Sequence, residues 1–356
     1  MDPRTRKLAQ LILKYSLKVL PDTNVMISGG IEAQEFILEL YKQVILQGAY
    51  PLVNITLPGM TDFYYKHASD KQLKKFPDLR MHTVKNAKFY VGIDTTTNTR
   101  SLSNCDPKRI AERMKITRPI SNYVCNEKDK IKRVTVGFPC MALAQEGEMS
   151  LNEFENFVYS ACLQDWKKLG KKLDKIKKKF ENGRGVHLIG PNVDLKFSIN
   201  HKNCVADKGE ENMPGGEVFM APVRESLNGW IKFEYPAIYL GQEVSGIFLR
   251  FELGKVIEAS ATKNEKLLQT VLETDENASY VGEFGIGLNP GITKYTRNLL
   301  FDEKIEGTIH LALGMAYKDN GGGNDSAIHW DIVKNMRKGK IILDKKVVCD
   351  KGKWKI

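Results

Sequence analysis

A histidine and an aspartate two residues apart have the residue types and the spacing that could do chemistry. They stand in the run Ile328-His329-Trp330-Asp331. In a strand, residues two apart point to the same face, so His329 and Asp331 would project together. A neutral imidazole beside a carboxylate suits a divalent metal ion. The pair alone is also compatible with a polar, solvated strand face, and that interpretation stays open.

A second histidine lies in a strand-like alternation earlier in the chain. Within residues 308–314, three apolar residues alternate with His310, Ala312 and Gly314. One face of this strand is therefore packed, whereas the other carries His310 beside two very small residues. That arrangement leaves space over the imidazole for a bound group. A histidine buried in a core is the alternative, and the nearby His329 strand weighs against it.

Two glutamates stand beside glycines. Glu217 directly follows a Pro-Gly-Gly turn at 214–216, and Glu283 begins an alternation with Gly285 and Gly287. Glycines at such positions mark the close approach of backbone or ligand. Either glutamate could instead be a surface residue next to a turn. Both, however, lie in the same half of the chain as the two histidines.

Together these residues offer three carboxylates and two imidazoles. They are Glu217, Glu283, His310, His329 and Asp331. One metal ion needs only three of them, whereas five suit two divalent ions that share a bridging carboxylate. Such a pair would lower the pKa of a bound water and polarise a carbonyl group. Tyr317 is a candidate hydrogen-bond donor to the oxyanion that would form.

The elements that must position these residues differ between the two halves of the chain. In the first half, short apolar strands alternate with helices, which predicts a mostly parallel sheet covered by helices. Residues 24–55 predict one βαβ unit. Strands are predicted at 24–28, 51–55, 88–93 and 133–138. Helices are predicted at 31–47 and from Ser150, where S-x-x-E indicates a capping box, to about Phe180.

The second half is rich in strands and glycines. Strands are predicted at 185–190, 193–199, 230–239, 244–253 and 255–261, with one helix at 265–274. The run Asn182-Gly183-Arg184-Gly185 marks the change of pattern. The fold class is therefore α/β plus α+β. Residues 1–182 are expected to form an α/β domain, and residues 183–356 a strand-rich α+β domain that carries the metal site.

Composition indicates a globular protein, with 42% hydrophobic and 27% charged residues among 356. No apolar run reaches the roughly 20 residues of a membrane span. The basic, amphipathic segment 1–20 lacks the continuous apolar core of a secretion signal, so a cytoplasmic protein without membrane partners is expected. The six cysteines form no CxxC pair, which favours buried thiols over a zinc finger.

The net charge of +11 raises a nucleic-acid alternative. Much of the excess lies in Lys167–Lys179, where Leu169, Leu173 and Ile176 form one apolar stripe among lysines. A solvated outer helix face explains this pattern. No arginine cluster or aromatic repeat accompanies it, as a single-strand binding platform would require. Nucleic acid is therefore the less favoured partner.

Several motifs in order resemble one enzyme family. The family motifs are Asn212-Met-Pro-Gly-Gly-Glu217, Gly282-Glu283-Phe-Gly-Ile-Gly287, Leu300-Phe-Asp-Glu-Lys304, Gly307-Thr-Ile-His310 and Ser326-Ala-Ile-His-Trp-Asp331. They strongly resemble the thermophilic aminopeptidase T family of metallopeptidases. Residues 139–155 also look like the segment that precedes that family's long helix. The resemblance is densest over 212–331 and runs through the whole chain.

This resemblance implies metal ions, a class of substrate, an assembly and a set of site residues. It implies two cocatalytic ions, such as zinc or cobalt, held by the five residues named above, with Tyr317 as the catalytic tyrosine. Glu217 or Glu283 would relay a proton. It also implies peptide substrates with a free N-terminus and a homodimer. A metal-binding scaffold without turnover remains an alternative to the enzyme.

Overall fold

The computed structural model describes residues 2–199, 203–317 and 320–355. The chain forms two compact units. The first comprises Met1–Leu163 and Gly209–Pro214, and the second comprises Gln164–Lys208 and Gly215–Ile356. The two units therefore divide before the lysine-rich helix, whereas the sequence pattern changes after it, at 182/183.

The first unit is built on a parallel sheet. Its strands are β1 (Asn24–Gly30), β2 (Tyr50–Thr56), β3 (Phe89–Asp94), β4 (Lys132–Gly137) and, from a later part of the chain, β8 (Asn212–Met213). They lie in the order β2-β1-β3-β4-β8, and each neighbouring pair is parallel. The predicted parallel sheet and its βαβ unit are confirmed. The two-residue strand β8 was not predicted.

Helices surround this sheet. They are α1 (Pro3–Leu11), α2 (Gln34–Leu46), α3 (Met60–His67), α4 (Asp70–Lys74), α5 (Asp78–Lys85), α6 (Pro107–Asn126), α7 (Met141–Glu146) and α8 (Leu151–Cys162). A π-helical turn continues α1 over Ile12–Ser16. In α2, Phe36 and Leu40 are fully buried, as its periodicity predicts. Gly48 then takes the left-handed φ of +74° that ends such a helix.

The single long helix predicted from Ser150 to Phe180 is wrong. The capping box at its start is present, because Ser150 and Glu153 exchange side-chain and backbone hydrogen bonds. The helix nevertheless ends at Cys162. A new helix, α9 (Trp166–Glu181), begins after Asp165, whose carboxylate accepts a hydrogen bond from the Lys168 N–H at 3.0 Å. Asp165 is a helix N-cap residue that the apolar periodicity did not reveal.

The second unit is mainly antiparallel. Its strands are β5 (Gly185–Gly190), β6 (Val193–Ser198), β7 (Val205–Asp207), β9 (Glu217–Met220), β10 (Asn228–Lys232), β11 (Ala237–Tyr239), β12 (Gln242–Val244), β13 (Phe248–Glu252), β14 (Lys255–Ser260), β15 (Val281–Gly287), β16 (Thr308–Gly314), β17 (His329–Asn335), β18 (Lys340–Leu343), β19 (Lys346–Asp350) and β20 (Lys353–Trp354). With α9 it contains α10 (Glu265–Leu272) and α11 (Leu299–Asp302). The predicted strand-rich, mixed α+β half is confirmed.

Two sheets and a hairpin account for these strands. One sheet has the order β14-β13-β10-β6-β5-β18-β19-β20, the hairpin pairs β11 with β12, and the other sheet has the order β17-β16-β15-β9-β7. Two predicted strands are each broken in two. The break in 230–239 contains Pro236, which has no N–H for the ladder, and the break in 244–253 contains Gly246 at φ +66°.

The lysine-rich helix α9 has the amphipathic arrangement that its sequence predicts. Leu169, Leu173 and Ile176 are buried, and α9 packs against β7 and β9 of its own unit. Lysines such as Lys171 and Lys175 are exposed. The helix therefore stabilises the second unit through its apolar stripe, and several of its lysines face solvent.

Removing exposed charge from α9 is expected to leave both stability and hydrolysis nearly unchanged. Lys167, Lys168, Lys171 and Lys175 are exposed, and surface substitutions away from special features change stability by about 0.5 kcal/mol or less. The variant with all four replaced by glutamine tests this by thermal melting and peptide hydrolysis. A variant that keeps its melting temperature but loses most of its hydrolysis would contradict the interpretation of these lysines as a solvated face with no part in the reaction.

The state of the cysteines and the lengths of the helices are relevant to two classes of protein, those with a reactive thiol and those that span a membrane. All six cysteines are free, with Cys125 exposed and the other five buried. Burial raises the pKa of the Cys204 thiol to about 12, which makes it unreactive as a nucleophile. Within residues 2–199, 203–317 and 320–355, none of the helices combines the length and apolarity needed to cross a bilayer.

Candidate metal centre

The candidate ligands lie on one face of the sheet β17-β16-β15-β9-β7. Residues directly opposite one another in an antiparallel sheet share a face, and each candidate ligand has glycine or alanine opposite it. The pairs are Glu217 with Gly287, Glu283 with Ala312, His310 with Gly285, Asp331 with Ala312 and His329 with Gly314. The small partners keep this face open for the longer polar side chains. The side chains that strand alternation singled out therefore share one face of this sheet.

His310 lies at the centre of the cluster and is fully buried. Its Nε2 atom lies 3.4 Å from Glu283 Oε1 and 3.5 Å from Glu217 Oε2. The distance from the same atom to Asp331 Oδ1 is 3.9 Å. His329 joins through its Nε2 atom, which lies 3.2 Å from Asp331 Oδ2. The structure thus brings together all five side chains that the sequence singles out.

The main chain orients both imidazoles. Nδ1 of His310 donates a hydrogen bond to the Glu303 carbonyl oxygen at 3.1 Å, and Nδ1 of His329 donates to the Met315 carbonyl oxygen at 2.8 Å. A carbonyl oxygen can only accept, so the Nδ1 atom of each ring carries a proton. In the neutral rings, the Nε2 lone pairs are then directed at the carboxylates. This is the arrangement that metal-ligating histidines adopt.

A lysine that sequence reasoning missed is part of the cluster. Lys304 is fully buried, and its Nζ atom lies 3.2 Å from Glu217 Oε1 and also contacts Glu303 Oε1. Buried lysines are rare unless they are paired. The segment that carries Lys304 follows the short helix α11 and has no strand alternation. Its spacing therefore contained no signal for the direction of the side chain.

Asn320, which sequence reasoning also missed, fixes the carboxylate of Glu283. The Asn320 side-chain amide donates to Glu283 Oε2 at 3.0 Å, and both residues are buried. Asn320 also accepts the Gly322 N–H through its own Oδ1 atom at 3.3 Å. One glutamate oxygen is thus fixed by an amide while the other lies beside the His310 ring. The only sequence signal for this residue is an asparagine before a run of glycines, which indicates a turn.

Burial and mutual charge set the protonation of the cluster. Burial raises the pKa of both Glu217 and Glu283, against the opposing pull of Lys304 and the imidazoles. For Asp331, the charges of His329 and His310 outweigh burial and hold its pKa below the usual range. Although burial opposes it, contact with carboxylates raises the pKa of His310 to about 9 and that of His329 to about 10. The carboxylates therefore attract positive charge to the face they share.

Tyr317 lies at the edge of the cluster. Its ring centroid is 4.8 Å from that of His329, at an interplanar angle of 55°. The side chain is 42% exposed, unlike the buried carboxylates. A phenol in this position reaches both solvent and the His329 end of the cluster, which suits a group that meets an incoming substrate.

The whole chain matches one family of metal-dependent peptidases. The model of the thermophilic metalloprotease family (M29) matches residues 1–354. The chain belongs to the M29 family. This membership makes it a metal-dependent peptide hydrolase, and it confirms the resemblance carried by the motifs between Asn212 and Asp331.

Three similar proteins match this chain over different shares of its length. Aminopeptidase AmpS of Bacillus subtilis is 24% identical over 94% of this chain and 90% of its own length. Aminopeptidase T of Thermus thermophilus is 34% identical over a region that is 41% of each chain. The structure of wild-type AmpT from Thermus thermophilus matches 99% of both chains with a TM-score of 0.84 and 22% identity.

A second solved structure shares the fold at greater distance. The 2,5-dihydroxypyridine dioxygenase of Pseudomonas putida KT2440 matches 98% of this chain and 96% of its own, with a TM-score of 0.65 and 13% identity. At these identities both structural likenesses show the fold alone. The M29 fold is therefore shared with an enzyme of another reaction class, and the chemistry must be argued from the site.

M29 membership implies a divalent metal ion, and the cluster has the chemistry to hold one. Two buried oxygens, Glu217 Oε2 and Asp331 Oδ1, have no hydrogen-bond partner among the described residues. Two groups of three side chains place a ligand atom from each member within 4.8 Å of the others. They are Glu217, Glu303 and His310, and Glu283, His310 and Asp331. Carboxylates and imidazoles are ligands that zinc and similar ions accept, so the residues fit.

Proposed function

We propose that this chain is an aminopeptidase that holds two divalent ions, zinc or cobalt, at Glu217, Glu283, His310, His329 and Asp331. The observation that supports two ions is that five carboxylate and imidazole side chains lie together on one face of the sheet. One ion needs only three of these side chains. The names of the curated relatives, aminopeptidases AmpS and T, support peptides with a free N-terminus as substrates.

The bound ions and the protein side chains would have different roles in the reaction. Divalent ions bound there would lower the pKa of a water molecule and polarise the peptide carbonyl. Because Lys304 already neutralises Glu217, we assign the proton relay to Glu283, whose carboxylate is fixed by Asn320. A carboxylate held in one position can accept a proton and pass it to the leaving amine. Tyr317 would donate a hydrogen bond to the oxyanion.

The second unit contains all of these residues, so we assign catalysis to it. Its strands β9, β15, β16 and β17 hold the proposed ligands on one hydrogen-bonded sheet. Sites on regular elements keep their geometry better than sites on mobile loops. This unit covers the predicted catalytic domain 183–356 except for Gly209–Pro214, and it adds helix α9.

Hydrolysis is expected to depend on metal and on a free amine. Full chelation should abolish hydrolysis of an unblocked aminoacyl amide, and added zinc or cobalt should restore it. The N-acetylated amide should be a poor substrate, with kcat/KM lower by about two orders of magnitude or more, because the amine anchors the substrate. Hydrolysis that survives complete metal removal would overturn the proposal. A protein that binds metal but never turns over the unblocked amide would be a scaffold.

The proposed assembly is a homodimer formed through the first unit. Leu38, Tyr41 and Ile45 lie on one exposed face of α2, at 42–52% exposure. The edge strand β2 adds exposed Tyr50 and Leu52. An apolar helix face beside an open strand edge is characteristic of a surface that a second copy covers. Most soluble oligomers repeat one chain about a two-fold axis, which favours a second copy as the partner.

Charges on the apolar face of α2 are expected to give a monomer. The double variant Leu38→Glu/Ile45→Glu should halve the mass measured by light scattering while the far-UV spectrum stays unchanged. Leu79→Glu is the matched control, because Leu79 is 85% exposed elsewhere in the same unit. A wild-type protein that is already monomeric at micromolar concentration would refute the dimer.

We also propose a cytoplasmic location. All six cysteines are free, which is the usual state of thiols in a reducing compartment. Fractionation of cells that express the chain with a reporter tag would test this, and recovery from the secreted fraction would contradict it.

A further inference from the structure

The second unit has another cleft, of about 530 Å³, with a strongly basic lining. It receives Lys172 from α9, Arg337 from the turn after β17, and Lys351 and Lys353 from the turn into β20. The acidic residue of this lining is Glu306. Its Oε1 atom lies 2.5 Å from Lys172 Nζ, so it neutralises that lysine. Arg337, Lys351 and Lys353 are left as excess positive charge around the cleft.

The backbone holds Arg337 in place. Its Nη2 atom donates to the Glu306 carbonyl oxygen at 2.7 Å. The aliphatic part of the side chain lies against Gly307, where a Cβ atom would come within 2.8 Å of Arg337 Cγ. Gly307 has φ +87°, and Gly352 on the other side has φ +75°. Both turns need glycine for backbone reasons, and both leave room for the arginine. Its guanidinium has five N–H donors, enough to engage a ligand beyond the Glu306 carbonyl.

An aromatic ring completes the cleft. Trp354 lines it and is half-buried. On its inner side the indole meets Phe180 of α9, with ring centroids 6.3 Å apart at 68°. This edge-to-face contact fixes the ring. A fixed indole beside guanidinium and ammonium groups offers a planar surface and an anion site together.

We propose that this cleft binds a small phosphorylated compound with a planar ring, of which a nucleoside monophosphate is the simplest example. Arg337 and Lys353 would hold the phosphate, since guanidinium and ammonium groups form strong charge-assisted hydrogen bonds to phosphate oxygens. Trp354 would stack on the ring. The volume falls within the range of roughly 300–1,000 Å³ that small-molecule sites occupy.

The cleft is connected to the metal cluster by one short segment, residues 303–307. At one end, Lys304 contacts Glu217 and the Glu303 carbonyl accepts from His310. At the other end, Glu306 lines the cleft and pairs with Lys172. A bound phosphate would compete with Glu306 for that lysine, so occupancy would act on the segment that positions the proposed ligands. This consequence rests on the proposed function, whereas binding itself does not.

Titration calorimetry on the purified chain tests the binding directly. The probes are adenosine monophosphate, adenosine and inorganic phosphate, because a triphosphate would also strip divalent ions. We expect the monophosphate to bind at least about tenfold more tightly than either adenosine or phosphate, since only the monophosphate makes both the charge-assisted contacts and the stacking contact. Equal affinity for phosphate and the monophosphate would refute recognition of a ring.

Variants separate a built site from general positive charge. Arg337→Gln/Lys353→Gln should weaken the monophosphate at least about tenfold. Trp354→Leu should weaken the monophosphate and leave inorganic phosphate unchanged. Lys338→Gln/Lys346→Gln is the charge-matched control, because both lysines are exposed in the same unit and lie outside the lining. No binding at millimolar concentration, or an equal loss in both double variants, would overturn the proposal.

Discussion

Glu283→Gln is expected to lower kcat for an unblocked aminoacyl amide by roughly 10³-fold or more, with little change in the folded structure. Glutamine keeps the shape of the side chain in its buried position. It removes the negative charge that faces His310 Nε2 at 3.4 Å and the group that we assign to the proton relay. Steady-state kinetics together with the metal content of each preparation measure the effect.

An exposed glutamate of the same unit provides the control for this substitution. Glu276 is exposed in the same unit, and Glu276→Gln should leave kcat and KM unchanged. If Glu283→Gln still binds metal at the wild-type ratio, its lost kcat reflects the proton relay. If its metal content falls, the loss reflects the role as a ligand. Retention of more than a tenth of the activity contradicts both roles.

Strand alternation explains how much of the candidate site could be predicted from sequence. His329 with Asp331, and His310 with Ala312 and Gly314, alternate with apolar residues that the structure buries. A period of two fixes the face of a side chain whatever the neighbouring strands are. It does not fix which strands are neighbours. That the strands of Glu217 and Glu283 lie next to each other is a property of the sheet order.

Residues outside regular strands escaped prediction for a different reason. Lys304 lies in the segment after α11, and Asn320 lies in a glycine-rich turn. Neither position has a periodicity that tells which way the side chain points. Burial of Lys304 follows from the charges of Glu217 and Glu303 around it, which are brought together only by the tertiary fold. The helix break at Asp165 was missed for a similar reason, because a cap is a local hydrogen bond and does not change apolar spacing.

The sequence pattern does not assign every helix and strand to its unit. The change from alternating helices and strands to strands alone falls at 182/183, yet α9 packs on β7 and β9. Segment Gly209–Pro214 returns to the first unit, where β8 pairs with β4. Contacts assign an element to a unit, and composition cannot do so for a single helix or a two-residue strand.

Gly285→Ala is expected to remove activity through a neighbouring side chain. A Cβ atom at position 285 would lie 1.9 Å from His310 Nε2 and 2.0 Å from its Cε1 atom. His310 is fully buried, and its ring is tied to the Glu303 carbonyl, so it cannot move aside without losing that hydrogen bond. We expect hydrolysis to fall by about 100-fold or more, in line with the cost of misplacing a catalytic group by about an ångström.

Two comparisons decide whether the imidazole causes this loss. Gly323→Ala is the matched control, because a Cβ atom there meets nothing within 4 Å, and it should keep wild-type activity and stability. The free energy of unfolding, measured with a chelator present, then tests the contact between the methyl group at position 285 and the His310 ring. The destabilisation caused by Gly285→Ala should largely disappear when His310 is also alanine, since removing the ring makes space for the methyl group. Additive losses in that double variant would mean that the methyl group acts elsewhere. Suppression would show that glycine at 285 is required by the ring that it faces.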